Sequence, residues 1–128
     1  KNQLKLQNKI TIINERIESL AHEISFRKMF DICTARALAS SNIVSEYIVP
    51  LLNEKGVGLL YCGNWAKENE TELNNALVLL KGHIQNINKK ILPHNKGIRN
   101  IIYIKGNGKC PDIYPRGIGK PTKYPLGN

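Results

Sequence analysis

Three residues stand where an α/β protein does its chemistry. Arg16 and Glu18 come just after the β-branched run Lys9–Asn14, and Arg36 comes just after the apolar run Phe30–Ala35. Ligands of open α/β sheets bind in the crevice beyond the carboxyl ends of the strands. Residues that directly follow a strand are therefore placed to meet a ligand, although a surface salt bridge accounts for the same residue types. A second group lies near the end of the chain. Residues 114–126 read YPRGIGKPTKYPL, with cations alternating with tyrosines and prolines. Extended backbone presents Arg and Lys to phosphates, and tyrosine faces stack on bases. Lys109, Arg116, Lys120 and Lys123 are the candidate phosphate contacts. Tyr114 and Tyr124 either stack on exposed bases or anchor the segment, and a solvated terminus fits the same composition.

Other chemistries lack their residues. His22, His83 and His94 stand alone, without a second ligand at metal spacing, and read as surface residues, so no metal is assigned. No GxSxG elbow or Walker loop occurs. Gly56-Val57-Gly58, Gly106-Asn107-Gly108 and Gly117-Ile118-Gly119 lack a third glycine in register and read as turns. Cys33, Cys62 and Cys110 are odd in number and far apart. They suit neither a disulfide framework nor a paired-cysteine zinc site, and point to a reducing compartment.

These residues need a scaffold, and the hydrophobic pattern outlines one. The 128 residues suit a single domain, and 41% hydrophobic with 23% charged residues is ordinary for a protein with a core. No apolar run is long enough to cross a membrane, and no secretory signal opens the chain. The net charge of +9 divides as +3 over residues 1–90 and +6 over residues 91–128. A basic end fits phosphate-rich partners such as nucleic acid, or simply solubility.

Lys9–Asn14 and Phe30–Ala35 read as strands, the second apolar on both faces like a buried parallel strand. Ser40 and Ser41 offer N-caps to a helix bearing Ile43, Val44, Tyr47, Ile48, Leu51 and Leu52. Lys55-Gly56 is its C-terminal stop, and Pro50 kinks it or ends it early. Val57–Tyr61 is a third strand. Asn69–Glu72 resembles a capping box ahead of Leu73, Ala76, Leu77, Leu80 and Ile84 on one helical face. Gln85–Leu92 reads as an edge strand, 93–97 as a turn and Ile98–Lys105 as the last strand. The alternation implies βαβ units and a mostly parallel sheet that ends in an antiparallel hairpin. Residues 106–128 hold four of the six prolines and five of the ten glycines. They read as an extended tail or a docked strap, mobile or loosely held without RNA.

Three blocks then resemble one family. Phe30–Ala39, FDICTARALA, is similar to the FD-x-x-x-[ST]-RA-x-A block of the RsmG family, also called glucose-inhibited division protein B. Asn14–Leu20, NERIESL, resembles the R-[AV]-E-E block that precedes it. YPRGIGKPTKYPL looks like the family's YPR-x-x-G-x-P-x-K-x-P ending, with wording closest to cyanobacterial members. The resemblance implies an α/β class I (Rossmann-like) methyltransferase sheet. It also implies methylation of N7 of a guanine in 16S ribosomal RNA, with S-adenosyl-L-methionine as donor. The enzyme would be cytoplasmic and monomeric when intact, with the small ribosomal subunit as partner. By motif, Ile17 and Glu18 take the family's second cofactor contact and Arg36 its arginine contact. Such a pair brackets the adenine, and such an arginine pairs with the methionine carboxylate or with RNA phosphate. Guanine N7 is already nucleophilic, so in-line positioning suffices, and no catalytic residue is assigned.

The chain also departs from the family. The glycine-rich first cofactor loop and the acidic-residue strand after it are absent, and the chain opens on Lys1. The expectation is a truncated protein: residues 1–105 as the C-terminal part of a methyltransferase domain, and 106–128 as a basic tail. Alone it should be inactive and bind the cofactor weakly or not at all. Tyr61-Cys62-Gly63 stands where the family usually has LKG, so Cys62 replaces a cation near the active edge. The alternative reading is a non-catalytic RNA-binding module that works through the basic tail. An RNA-cleaving toxin domain would also be small and basic, but it lacks a histidine–histidine or histidine–glutamate pairing.

Overall fold

The structure, a computed structural model, describes Leu6 and residues 8–128. Four strands, β1 (Phe30–Arg36), β2 (Leu52–Cys62), β3 (Gly82–Ile91) and β4 (Ile98–Gly106), form one sheet in the order β1-β2-β4-β3. β1 pairs parallel with β2, and β4 pairs antiparallel with both β2 and β3. Three strands therefore share one direction and β4 alone opposes them. This is the open α/β sheet with a C-terminal hairpin that the pattern implies. Its consequence for function is geometric: the carboxyl ends of β1, β2 and β3 gather at one edge, beside the start of β4.

Two helices, α2 (Ser41–Ile48) and α3 (Lys67–Leu80), pack on one face of the sheet. Val44 and Ile48 of α2 join Leu73, Leu77 and Leu80 of α3 over Leu60, Ile102 and Ile104 of the sheet. Side chains alternate faces along a strand, so these even-numbered residues of β2 and β4 share the covered face. Gly58 lets α2 come close. A Cβ there would lie 2.7 Å from Ile104 Cγ1 and 2.8 Å from Ile48 Cγ2. Ile32 and Tyr61 lie on the other face and are exposed among the described residues.

Several expectations are corrected. Lys9–Asn14 is not a strand, because β-branched residues make a ladder only beside a partner. The segment has none among the described residues, and Ile12 is 80% exposed. β1 is real, but among the described residues it pairs with β2 alone, and only its Cys33 and Ala35 face the core. The first long helix stops at Ile48, not at Lys55-Gly56. Pro50 has no N–H to continue an α-helical ladder, so Val49–Leu51 tightens to a 3₁₀ turn and β2 begins at Leu52. Gly56-Val57-Gly58 thus lies within β2 and is no turn. Residue 56 must be glycine there, since a Cβ would meet the Phe30 carbonyl at 2.7 Å. In α3 the cap is Ala66, whose N–H donates to Asn69 Oδ1 at 2.9 Å, so Asn69 closes the first turn instead of preceding it. The helix ends at left-handed Lys81, which sends Ile84 into β3.

The last 22 residues, 107–128, form the docked strap of the two alternatives, not an extended tail. Cys110, Tyr114 and Leu126 belong to the core, and Pro115 and Pro121 are buried as well. Low apolar content hid this, because much of the anchoring is polar. Arg27 Nη1 donates to the Tyr114 carbonyl at 2.7 Å, and its Nη2 reaches the Pro111 carbonyl at 3.1 Å. Asn42 Nδ2 donates to the Leu126 carbonyl at 2.8 Å. The segment carries a short helix, α4 (Lys120–Lys123), and lies against α2.

Candidate functional site

The carboxyl edge of the sheet is the place to look. β1 ends on Arg36, directly opposite Tyr61 of β2; Cys62 stands opposite Asn100 of β4, and Lys90 of β3 opposite Arg99 of β4. These residues line an open cleft of about 860 Å³ that contains no carboxylate. That volume is in the range of small-molecule and cofactor sites. Among the described residues, Arg36, Lys90 and Arg99 have no ion-pair partner. Asn100 is buried and donates to the Gly63 carbonyl at 2.7 Å, which fixes the turn after β2. Ala37 follows Arg36 at φ +52°, a left-handed conformation uncommon for alanine. Strain of this kind costs on the order of 1–3 kcal/mol and is stored where surrounding structure over-determines it. Here it turns the chain sharply away behind Arg36.

Ile17 and Glu18 lie elsewhere. They begin α1 (Ile17–Leu20), and neither lines the cleft with Arg36. Ile17 is half-buried. Glu18 is buried and accepts from Arg16 Nη2 at 2.7 Å, Arg16 Nε at 3.2 Å and the Gly119 N–H at 3.1 Å. Burial pushes its carboxyl up, but the Arg16 hydrogen bonds and the backbone N–H groups outweigh that and hold it below the usual carboxylate range. Its charge is committed to holding Arg16 and the tail. Gly119 suits this contact because its φ is +80°, which a side chain would resist.

The tail cations divide. Lys109, Lys120 and Lys123 are exposed; Lys109 Nζ lies 3.6 Å from Asp112, and Lys123 Nζ sits 5.3 Å from the Tyr124 ring centre. Arg116 is different. It donates to fully buried Glu46 from its backbone N–H at 2.8 Å, from Nε at 3.0 Å and from Nη2 at 2.8 Å. Nη2 also reaches the Tyr124 carbonyl at 2.7 Å. Tyr114 is a buried anchor, whereas Tyr124 is exposed.

The remaining reactive groups are quiet. Burial pushes the Cys33 and Cys110 thiols up to about 11 and raises that of Cys62 too. All three are therefore protonated at neutral pH and poor nucleophiles. Cys62 turns toward the helix-covered face and offers a phosphate nothing. His22, His83 and His94 are exposed, and His22 Nε2 lies 2.6 Å from the Pro115 carbonyl. Among the described residues no three potential metal ligands gather, and no helix is long and apolar enough to cross a membrane.

Sequence reasoning missed Lys90, Arg99, Glu46 and Arg27. Lys90 and Arg99 were within reach. A hairpin that turns at 93–97 sets Ile91 opposite Ile98, and hence Lys90 opposite Arg99. Glu46 gave no such signal, since it reads as a polar position on an amphipathic helix.

The strand order, the lone opposed strand β4 and the cleft at the carboxyl edge are those of part of a Rossmann-like sheet. The family model described as rRNA small subunit methyltransferase G (GidB) matches residues 1–102. The ribosomal RNA small subunit methyltransferase G of Prochlorococcus marinus strain MIT 9515 is 50% identical over 123 residues, covering 96% of this chain and 52% of the relative. The protein of the same name from strain NATL2A is 47% identical over 122 residues, covering 95% of this chain and 49% of the relative. The chain belongs to the rRNA small subunit methyltransferase G family. It spans about half the length of the curated relatives it matches.

Proposed function

We propose that this chain is the C-terminal part of an enzyme that methylates N7 of a guanine in 16S ribosomal RNA, with S-adenosylmethionine as the donor. In this reading residues 1–105 belong to the methyltransferase domain and 106–128 form its basic tail. The enzyme is cytoplasmic, and its partner is the small ribosomal subunit or its RNA. The observation that carries the proposal is Arg36, a guanidinium without a carboxylate partner among the described residues, at the carboxyl end of a strand in a chain of this family.

The residues present fit the donor in part. Arg36 suits a carboxylate, which a guanidinium holds through paired, charge-assisted hydrogen bonds. Ile17 and the backbone beside Glu18 offer packing for an adenine, but the Glu18 carboxylate is occupied by Arg16 and Gly119. When bound, the donor supplies an electrophilic methyl group. The task left to this chain is to hold the target base in line and keep it there. Guanine N7 has a free lone pair, so positioning replaces a general base. Exposed Lys109, Lys120 and Lys123 contact phosphates. Arg116, balanced by Glu46, holds the segment that carries them.

A chimera tests this. Residues 1–128 are joined to the preceding half of the MIT 9515 relative, and transfer of labelled methyl to 16S RNA is measured and mapped. The chimera should modify a guanine at N7, Arg36→Ala should lose most of that activity, and the 128 residues alone should transfer none. A folded chimera that methylates another position, or an Arg36→Ala form with full activity, would refute the proposal.

A further inference from the structure

We infer that the strap residues Arg116–Gly119 are a positioning bridge for the methyl donor. They tie α1, which carries Ile17 and Glu18, to α2, which follows Arg36, and so fix the spacing of the residues assigned to the donor. The inference rests on the donor-site reading above and adds Glu18, Gly119 and Arg116 to it as positioning residues.

Two carboxylates are buried in this chain, and one short stretch of the strap answers both. Glu18 on α1 is 3% exposed and Glu46 on α2 is fully buried. A buried charge is costly unless it is paired and hydrogen-bonded. Arg116 meets Glu46 through its backbone N–H, Nε and Nη2, and the Gly119 N–H meets Glu18 at 3.1 Å. The backbone is shaped for the second contact. Gly119 has φ +80°, yet a Cβ there would meet nothing within 4 Å. Conformation, not crowding, calls for glycine at this position. Neighbouring contacts repeat the pattern. His22 Nε2 lies 2.6 Å from the Pro115 carbonyl, and Arg27 Nη1 donates both to the Ala21 carbonyl at 3.2 Å and to the Tyr114 carbonyl at 2.7 Å. The end of α1 and the residues after it are thus clasped to the strap. On the other side, Asn42 of α2 donates to the Leu126 carbonyl at 2.8 Å. α1 is a single turn of four residues, and a helix so short does not hold itself in place. Ile17 and Arg36 line no common cleft. Contacts on two separate elements serve one ligand only when their spacing is held, since a misplacement of about 1 Å costs as much as a hundredfold in rate. The bridge supplies that spacing, because the strap that grips Glu18 also grips the helix entered from Arg36.

The test measures S-adenosylmethionine binding to the chimera by calorimetry, beside the urea midpoint of each variant. Glu18→Ala and Gly119→Ala should each raise the donor Kd about tenfold, as when the binding-ready geometry is populated about a tenth of the time. Two conservative variants should recover part of this. Glu18→Gln keeps an acceptor for the Gly119 N–H, and Gly119→Asn tolerates a left-handed φ better than alanine does. Arg116→Ala cuts the other end of the bridge. Combined with Glu18→Ala it should weaken donor binding no further than the stronger single change, because a bridge cut once is already cut. In methyl transfer these variants should raise the donor KM more than they lower kcat. Leu80→Ala opens a cavity in the core at α3 and should lower the urea midpoint without moving the donor Kd. Gly119→Ala introduces no clash, so it keeps the fold and decides the matter if the buried changes do not. If the bridge variants lower the urea midpoint but leave the donor Kd alone, while Arg36→Ala raises it, the bridge is refuted and the donor-site reading stands. Additive effects of Arg116→Ala and Glu18→Ala on the donor Kd also overturn it. If the unaltered chimera binds no donor, both readings fall.

Discussion

Replacing Arg116 with alanine should loosen the whole C-terminal segment. Glu46 is fully buried, and Arg116, its side chain 23% exposed, gives it three hydrogen bonds. The substitution removes two of them and leaves a buried carboxylate whose charge is uncompensated. Breaking a buried pair on one side costs about 3–5 kcal/mol. The backbone N–H of residue 116 remains to Glu46, so the lower end applies, about 3 kcal/mol. With a urea m-value of about 2 kcal/mol/M, the unfolding midpoint should fall by roughly 1.5 M. Equilibrium urea unfolding followed by circular dichroism reads this directly. A double-mutant cycle isolates the pair. Glu46→Leu with Arg116→Leu removes both charges and should recover much of the loss, giving a coupling of about 2 kcal/mol. Additive single effects, or a midpoint shift of Arg116→Ala below about 0.3 M, would refute the claim that this ion pair holds the tail.

Three more outcomes follow from the geometry. Glu18 is held below the usual carboxylate range, so its contribution is complete above that range and fades as pH falls through its lowered value. Arg16→Ala should therefore lower the urea midpoint at pH 7 and make no difference once the pH is below that value. Cys33 and Cys110, pushed up to about 11, should react with a thiol reagent at pH 8 roughly a hundredfold more slowly than a free cysteine, and all three cysteines should react readily in urea. Gly58→Ala forces a methyl group against Ile104 and Ile48, which should cost about 1–3 kcal/mol and appear as a melting temperature lower by several degrees.

What the sequence made legible was local or motif-borne. β1, the second half of β2 and both hairpin strands follow from apolar runs between turn residues, and Arg36 from its block. What stayed hidden depends on partners distant in sequence. Lys9–Asn14 has the composition of a strand but no neighbour to pair with. Pro50 signalled a break without saying that Leu52 would open a strand. How the tail docks stayed hidden, because Glu46 and Arg116 are 70 residues apart and Arg27 and Tyr114 are 87 apart. No periodicity in either segment encodes that meeting. A count of apolar residues undervalues a segment held mainly by hydrogen bonds. The same composition that suggested phosphate contacts at Arg116 is also what a buried carboxylate selects.

The grip on the tail has a consequence for how this segment can change. Arg27, His22, Asn42 and Asn75 take hold of carbonyls, those of Pro111, Tyr114, Pro115, Leu126 and Gly127 among them, and Glu18 takes the N–H of Gly119. Every residue type carries a carbonyl. Mutational drift at Asp112, Ile113, Ile118 or Thr122 therefore leaves those clasps intact, provided the chain keeps its length and its glycine at 119. The lysines can be rearranged around a fixed track. The surface that meets the outside can diversify quickly while the attachment beneath it stays under strict selection.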